Sequence, residues 1–172
     1  MKSVFLYIYD LQEETVAVLI GVFFAVVSWL FSAAATRRLS RKQHTINLLM
    51  NSGMDPAIKA AMELVRDNLN SKKCPSFSSV KDAPKRVAFR LLLNHFEFVA
   101  AGLRNGDLDE QLVYDSECHT ILDLYNTYLP NIEKRQKERN LGTLYEHTAW
   151  LSKRWRGQRP LSWRRFWQLL RD

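Results

Sequence analysis

The chain has 172 residues, 47% of them apolar, and its 25 lysines and arginines against 18 aspartates and glutamates give a net charge of +7. That length suits one domain of about 100–150 residues with an appendage and excludes two ordinary domains. The content of 5 prolines and 6 glycines excludes collagen-like and linker-rich chains. The 2 cysteines are too few for a disulfide framework or a four-thiolate zinc site.

An apolar run begins near the N-terminus, where residues 15–36 contain no charged side chain. As a helix it is about 33 Å long, enough to cross a bilayer core of about 30 Å. The run therefore predicts a transmembrane helix over residues 15–36, preceded by an N-terminal tail of residues 1–14. A buried helix of a soluble domain is the alternative, but small globular domains rarely contain such an uninterrupted run.

The charges that flank this run differ in sign. Acidic side chains precede it: Asp10, Glu13 and Glu14. Basic side chains follow it: Arg37, Arg38, Arg41 and Lys42. Because short basic flanks stay in the cytoplasm, we expect the N-terminus outside the cytoplasm and residues 37–172 inside it. The alanines at 33–35 resemble a signal-peptide cleavage site, yet a signal peptide carries its positive charge before the apolar stretch.

Six small side chains share an arc of about 80° on the predicted transmembrane helix. They are Ala17, Gly21, Ala25, Ser28, Ser32 and Ala35. Small residues let helix backbones approach closely in lipid, so this face predicts a homo-oligomer formed through the membrane helix. A monomeric span and packing against a different helix are the alternatives.

Helical signals dominate the cytoplasmic part, and no strand alternation is visible, so we predict an all-α domain over residues 37–156. Its first helix continues from the span and ends at Gly53. Asp55 and Pro56 supply an N-cap and a first-turn proline for the second helix. Serine, lysine and proline mark residues 71–84 as a loop.

The clearest helical pattern covers residues 85–104, where apolar side chains recur at spacings of three and four. They are Phe89, Leu92, Leu93, Phe96, Val99, Ala100 and Leu103. Asp107 is predicted to cap the next helix together with Glu110, and Pro130 to break or kink that helix. A last helix of the domain is expected over residues 144–155.

The C-terminal residues 157–172 form a basic tail rich in tryptophan and arginine. As a helix, the tail would place large apolar side chains opposite basic ones, which is typical of helices that lie in anionic headgroups. The predicted membrane-surface residues here are Trp163, Arg164, Arg165, Phe166, Trp167 and Leu170. Docking of this helix on the domain is an alternative. Nucleic acid is not an expected partner, because the tail matches no recognised nucleic-acid motif.

Few side chains are candidates for a catalytic or metal-binding site. Asp115, His119 and Asp123 are spaced by four and share one helix face, but they do not form the helical zinc signature of two histidines and a glutamate. The sequence contains no glycine-rich phosphate loop and no nucleophile elbow. We therefore expect no catalytic, cofactor-binding or metal-binding residue, and no enzymatic activity.

Glu97 borders the apolar face of its predicted helix, with Arg90 and Arg104 two turns away on either side. A buried carboxylate needs a cationic or hydrogen-bonding partner. We interpret these three residues as a structural polar group.

Two motifs carry a family resemblance. The first contains Phe96-Glu97, Ala101-Gly102 and Gly106-Asp107, and the second contains Tyr145-Glu146-His147 with Trp150 and Trp155. With these motifs and its N-terminal span, the chain resembles a family of bacterial and prophage proteins, the domain of unknown function family 4760. The resemblance covers residues 10–156. The resemblance implies a membrane-anchored helical fold and transfers no catalytic residue.

These features predict a single-pass inner-membrane protein whose cytoplasmic helical domain is a non-enzymatic interaction or regulatory module. The prophage setting of the resembling family suggests phage exclusion or host defence. The expected partners are anionic lipid headgroups, a second copy of the chain and a protein that the sequence does not identify. An oligomeric effector that perturbs the membrane and an enzyme held close to lipid are the alternative functions.

Overall fold

The computed structural model describes the backbone of residues 2–157 and the side chains from residue 15 onward in that range, except that of Ala17. This part of the chain contains five α-helices and no strand, so the predicted all-α class is confirmed. The helices are α1 (Lys2–Met54), α2 (Pro56–Ser71), α3 (Ala83–Asn105), α4 (Glu110–Arg139) and α5 (Glu146–Gly157). The chain divides into two compact units, Met1–Ser40 and Arg41–Asp172.

The first unit belongs to α1, and its large apolar side chains lie on the surface of the helix. The large apolar side chains between Val16 and Phe31 are all solvent-exposed, by 44–79%. Within the described residues, one helical stretch in Val18–Met54 is apolar and long enough to cross a membrane. A signal sequence has the same length and apolarity, so these two properties identify a candidate span.

The second unit begins with the end of α1 and continues into α2. Asp55 caps α2 as predicted, since its Oδ1 accepts a hydrogen bond from the backbone N–H of Ala57 at 2.7 Å. Pro56 occupies the first turn, where its missing N–H has no intrahelical partner to lose. The helix ends at Lys72, which adopts a left-handed conformation with φ 51°.

Helix α3 lies at the centre of this unit and contacts α2, α4 and α5. All seven apolar residues of its predicted face are buried, so that prediction is confirmed. The helix ends at Gly106 with φ 80°, where the Gly106 N–H bonds to the carbonyls of Gly102 and Leu103. This left-handed position favours glycine, because residues with a side chain rarely adopt a positive φ without strain.

Helix α4 corrects two predictions. Asp109, not Asp107, caps it, with Oδ1 accepting from the backbone N–H of Leu112 at 3.1 Å. The backbone N–H of Asp107 instead closes the end of α3 at the Gly102 carbonyl, and the next residue, Leu108, is buried in the core. The helix therefore begins two residues later than expected.

Of the two outcomes predicted at Pro130, a break or a kink, the break is wrong, because α4 continues to Arg139. Pro130 lacks an N–H and costs helical stability at an interior position. Buried residues on both sides of it hold the helix in place, among them Tyr128 and Ile132. The adjacent Asn131 also donates from Nδ2 to the Pro75 carbonyl at 3.0 Å, which attaches this turn to the α2–α3 connection.

The core of the second unit is built around α3, and two aromatic pairs join α4 to its neighbours α3 and α5. Phe89 of α3 stacks on Tyr128 of α4 with ring centroids 4.8 Å apart. Near the start of α4, Tyr114 meets Trp155 of α5 edge to face at 5.2 Å. Burial of such rings is the main favourable term in a small helical domain.

Candidate functional site

The carboxylate of Glu97 joins α3 to the first turn of α5. Its Oε1 accepts a hydrogen bond from the backbone N–H of His147 at 3.0 Å, and its Oε2 accepts from the backbone N–H of Thr148 at 2.8 Å. The Thr148 hydroxyl donates to the same Oε2 at 2.6 Å. The first N–H groups of a helix lack intrahelical partners, and a negative charge there also complements the helix dipole. Glu97 therefore caps α5 from another helix.

The two arginines that we grouped with Glu97 have other partners. Arg104 Nη1 donates to His147 Nδ1 at 3.3 Å and lies 3.6 Å from Oε1 of Glu146. Arg90 donates from Nε to a backbone carbonyl one turn earlier in α3, at 3.3 Å. Both oxygens of Glu97 accept hydrogen bonds from amide and hydroxyl donors of α5. Of the two expected kinds of partner, Glu97 therefore has the hydrogen-bonding one, a helix N-terminus, and not a cation.

Two further hydrogen bonds close this α3–α5 corner, which we define by Asn94, Glu97, Arg104 and the segment 145–148. The buried Tyr145 donates from its hydroxyl to Asn94 Oδ1 at 3.0 Å. Tyr145 has φ 60°, a left-handed conformation that turns the chain directly into α5. The corner thus gathers the Glu97 motif and the Tyr145-Glu146-His147 motif into one structural junction.

A second carboxylate, Glu110, joins the start of α4 to the end of α5. Arg154 donates to it from Nε at 2.6 Å and from Nη2 at 3.0 Å, and the Trp155 indole donates at 3.1 Å. Burial raises the pKa of Glu110, but the hydrogen bonds from Arg154 and Trp155 and the charge of Arg154 outweigh it and lower the pKa below its ordinary value. Glu110 is therefore held in its ionised form.

A cavity of about 450 Å³ lies between the end of α1 and the helices α2, α3 and α4. Its apolar lining consists of Leu48, Leu49, Ile58, Met62, Phe96 and Val99. Its polar lining consists of Ser52, Lys59, Glu63, Arg66, His95, Glu117 and Thr120. Gly53 completes the wall.

The two half-buried titratable groups of this cavity are both shifted toward their uncharged forms. Burial lowers the pKa of His95, and the negative charge of Asp55 opposes that shift. Burial raises the pKa of Glu117, and a hydrogen bond with Thr120 opposes that shift. Burial thus favours the uncharged form of both groups on the α3 and α4 side of the cavity.

The predicted membrane residues with described side chains are exposed in their own units. The small-residue face consists of Gly21, Ala25, Ser28, Ser32 and Ala35, and the side chain of Ala17 lies outside the described residues. The basic flank consists of Arg37, Arg38, Arg41 and Lys42. Within the second unit, Arg41 donates from Nη1 to the Gly106 carbonyl at 3.1 Å, so it also holds the end of α3.

The predicted amphipathic tail lies outside the described residues, apart from its first residue. Its membrane-surface residues remain a prediction: Trp163, Arg164, Arg165, Phe166, Trp167 and Leu170.

The predicted acidic and histidine face of α4 is exposed. Asp115 accepts from Gln111 Nε2 at 2.8 Å, and His119 and Asp123 face solvent. Among the residues that the structure describes, no group of three or more histidine, cysteine, aspartate or glutamate side chains is placed to hold a metal ion.

Sequence reasoning missed the cavity, the Glu110 junction and the partner of Glu97. Glu110 was assigned to a capping box, and nothing in its spacing pointed to Arg154, which is 44 residues away. Glu117 had a detectable signal, because it lies one residue before the buried Cys118 on the face of α4 that borders the core. Thr148 had none, since its neighbours in the sequence are polar and aromatic.

Comparison with known proteins gives one match. Residues 15–155 match the family described as Domain of unknown function (DUF4760). No curated protein and no solved structure matches the chain. The matched region extends from the apolar segment to Trp155 and includes both carboxylate junctions and the cavity. Because it covers most of the sequence, the chain belongs to the DUF4760 family.

Proposed function

We propose that this chain is a single-pass protein of the bacterial inner membrane, with its N-terminus in the periplasm and its second unit acting as a cytoplasmic interaction or regulatory module. The observation that carries the proposal is the exposure of every large apolar side chain between Val16 and Phe31, at 44–79%. Exposed apolar surface costs about 25 cal/mol per Å² in water. A bilayer removes that cost over the whole circumference of a helix, which a single partner surface cannot do.

The flanking charges support the orientation. Four basic residues follow the apolar segment within six positions, and three acidic residues precede it closely. Basic flanks are retained on the cytoplasmic side, where anionic lipids also attract them. A cleaved signal sequence is the rival interpretation, and its expected order of charges is the reverse.

The interaction role is supported by an exposed apolar stripe on α3. Val87, Leu91 and Phe98 are 55%, 41% and 68% exposed, and their spacings of four and seven place them on one side of the helix. Exposed clusters of large apolar residues are typical of protein-binding surfaces. The carboxylates Glu97 and Glu110 are meanwhile engaged in joining helices, a structural use of charge.

Self-association is proposed through the small-residue face of the span. Gly21 and Ala25, with Ser28 and Ser32 one to two turns later, would allow close approach of two helices. A phage-exclusion or host-defence role is part of the proposal and rests on the prophage character that we associate with the family.

The first test is extraction of the full chain from membranes with alkaline carbonate, combined with its mass. We expect the full-length protein to stay in the membrane fraction. Release into the supernatant, or a mature protein shortened after Ala33–Ala35, contradicts the proposed anchor.

The second test is crosslinking of the full chain in membranes after a change in the small-residue face. Ala25→Leu should abolish the dimer band, because a large side chain separates the helix backbones. Ala33→Leu is the matched control, since Ala33 lies outside the small-residue arc, and it should leave the band intact. Equal crosslinking of both variants contradicts self-association through this face.

A further inference from the structure

The cavity of the second unit has the dimensions and wall of a small-molecule site. Its volume of about 450 Å³ falls in the range of ligand pockets, about 300–1,000 Å³. The wall is formed by the end of α1 (residues 48–53) and by α2, α3 and α4, and all of its residues belong to the second unit. Such pockets combine an apolar lining with a few polar groups that orient the ligand.

The polar groups of the wall differ in exposure. On α2, Arg66 and Glu63 are exposed and form an ion pair with each other at 2.5 Å. On α3 and α4, His95 and Glu117 are half-buried, and Thr120 is a hydrogen-bond partner of Glu117. The solvated charges therefore lie on α2, while the more enclosed side of the cavity offers an imidazole, a carboxyl group and a hydroxyl.

The apolar part of the wall is aliphatic and adaptable. Leu48, Leu49 and Ile58 come from α1 and α2, while Met62 supplies a flexible side chain that can follow the shape of a ligand. Phe96 closes the wall from α3. An alkyl chain or a small ring would gain apolar burial against all of these groups.

We propose that this cavity binds an uncharged, mostly apolar small molecule with one hydrogen-bonding head, such as a hydroxyl group, which contacts Glu117, Thr120 or His95. A charged head would lose its hydration at the enclosed side of the cavity, where His95, Glu117 and Thr120 offer no permanent opposite charge. The cation of Lys59 lines the cavity from the exposed side, on α2. A hydroxyl both donates and accepts, so it satisfies a carboxyl group and an imidazole in either protonation state. The ligand would touch the end of α1 and three helices of the bundle at once.

The test is photolabelling of the full chain in lipid nanodiscs with three probes that share one diazirine-bearing alkyl chain and end in an alcohol, a carboxylic acid or an amine. Mass spectrometry of the peptides locates the label. Labelling of the transmembrane segment measures how much of each probe has entered the lipid. Labelling of the cavity peptides, residues 48–66, 95–99 and 117–120, is compared after correction for that uptake.

Gly53 and Gly142 provide matched variants. Neither has a positive φ, and a Cβ added at either would meet no atom within 4 Å, so neither backbone position excludes a side chain. Gly53 lines the cavity, whereas Gly142 does not. Gly53→Phe therefore adds a large ring at the wall of the cavity, where we expect it to compete with a ligand, and Gly142→Phe adds the same side chain elsewhere.

With the alcohol probe, we expect saturable labelling of the cavity peptides that falls about tenfold in Gly53→Phe and is unchanged in Gly142→Phe. The acid and amine probes should label these peptides about tenfold less than the alcohol. Preferential labelling by the acid or the amine overturns the proposed ligand class. Labelling that does not saturate, or that is equal in the two glycine variants, overturns the site itself.

Discussion

The largest loss of stability that we predict for a single substitution is at Glu97, because this one side chain accepts hydrogen bonds from three donors of another helix. Glu97→Ala removes the acceptor for the backbone N–H groups of His147 and Thr148 and for the Thr148 hydroxyl. Thr148 is fully buried, so its two donors cannot turn to water, whereas His147 is only half-buried. The variant therefore leaves two buried donors unpaired at the first turn of α5.

Each buried donor without a partner costs about 1–3 kcal/mol, and loss of a helix cap costs about 0.5–2 kcal/mol. Because the cap and the donors overlap, we expect a total loss of about 3–4 kcal/mol. Small domains have unfolding free energies of about 5–15 kcal/mol, so this loss is a large fraction of the total. Glu97→Gln keeps one acceptor oxygen and should lose about 1–2 kcal/mol.

Hydrogen exchange of the full chain in nanodiscs measures the effect where it occurs. The reporter is the amide of Leu151, which is buried within α5. A loss of about 3–4 kcal/mol corresponds to exchange that is faster by about two to three orders of magnitude. Glu138→Ala is the control, because it removes an exposed carboxylate 3.9 Å from Lys134. That change should alter the free energy of unfolding by less than about 0.5 kcal/mol.

The reasoning is refuted if Leu151 exchanges in Glu97→Ala within about threefold of its rate in the unaltered protein. It is also refuted if Glu97→Ala and Glu138→Ala behave alike.

Three further predictions concern the second unit. The lowered pKa of Glu110 means that its ionised form stabilises the fold above the ordinary pKa of a glutamate, and that this contribution disappears as the pH falls through the lower pKa of the folded state. Glu110→Gln should cost about 1 kcal/mol near neutral pH and flatten this acid dependence of the unfolding free energy. Gly102→Ala should destabilise by about 1–2 kcal/mol, because the new Cβ would lie 2.9 Å from Leu108 Cδ1 in the core. Tyr128→Phe should stabilise by up to about 1 kcal/mol, because the buried Tyr128 hydroxyl has no hydrogen-bond partner among the described residues.

Urea unfolding of the full chain in nanodiscs checks all three, followed by the circular dichroism of its helices. For Glu110, Arg154→Gln should likewise flatten the dependence of the unfolding free energy on acid pH. If that dependence is unchanged in both variants, the ion pair between Glu110 and Arg154 does not stabilise the fold. For Gly102, the companion variant Gly53→Ala meets no atom within 4 Å and should be neutral or slightly stabilising. Equal effects at the two glycines contradict the close approach of Leu108. For Tyr128, a clear loss of stability would show that its hydroxyl is paired.

The periodic parts of the sequence predicted the fold well. On α3, spacings of three and four identified a face whose residues are all buried, because apolar burial dominates a helix that contacts three others. Asp55 and Pro56 identified the start of α2, since capping is a local interaction. The predicted break at Pro130 is absent because local propensity gave way to tertiary packing around Tyr128 and Ile132.

The polar junctions and the cavity could not be predicted in the same way. The sequence indicated that Glu97 needs a partner, but the partner is a helix terminus about 50 residues later in the chain, and helix termini of this kind carry no spacing signal. The cavity arises from the packing of four helices, and its lining residues His95 and Glu117 come from two of them, α3 and α4. Local patterns predict elements, whereas such sites depend on how the elements pack together.

The most direct test of the proposed membrane orientation is cysteine accessibility in intact bacterial cells. In a background with Cys74 and Cys118 replaced by alanine, Ser3→Cys and Ser71→Cys are each treated with a membrane-impermeant maleimide. We predict that the cysteine at position 3 is labelled in intact cells, and that the cysteine at the exposed position 71 is labelled only after lysis. Labelling of position 71 in intact cells, or protection of position 3 until lysis, would contradict the account.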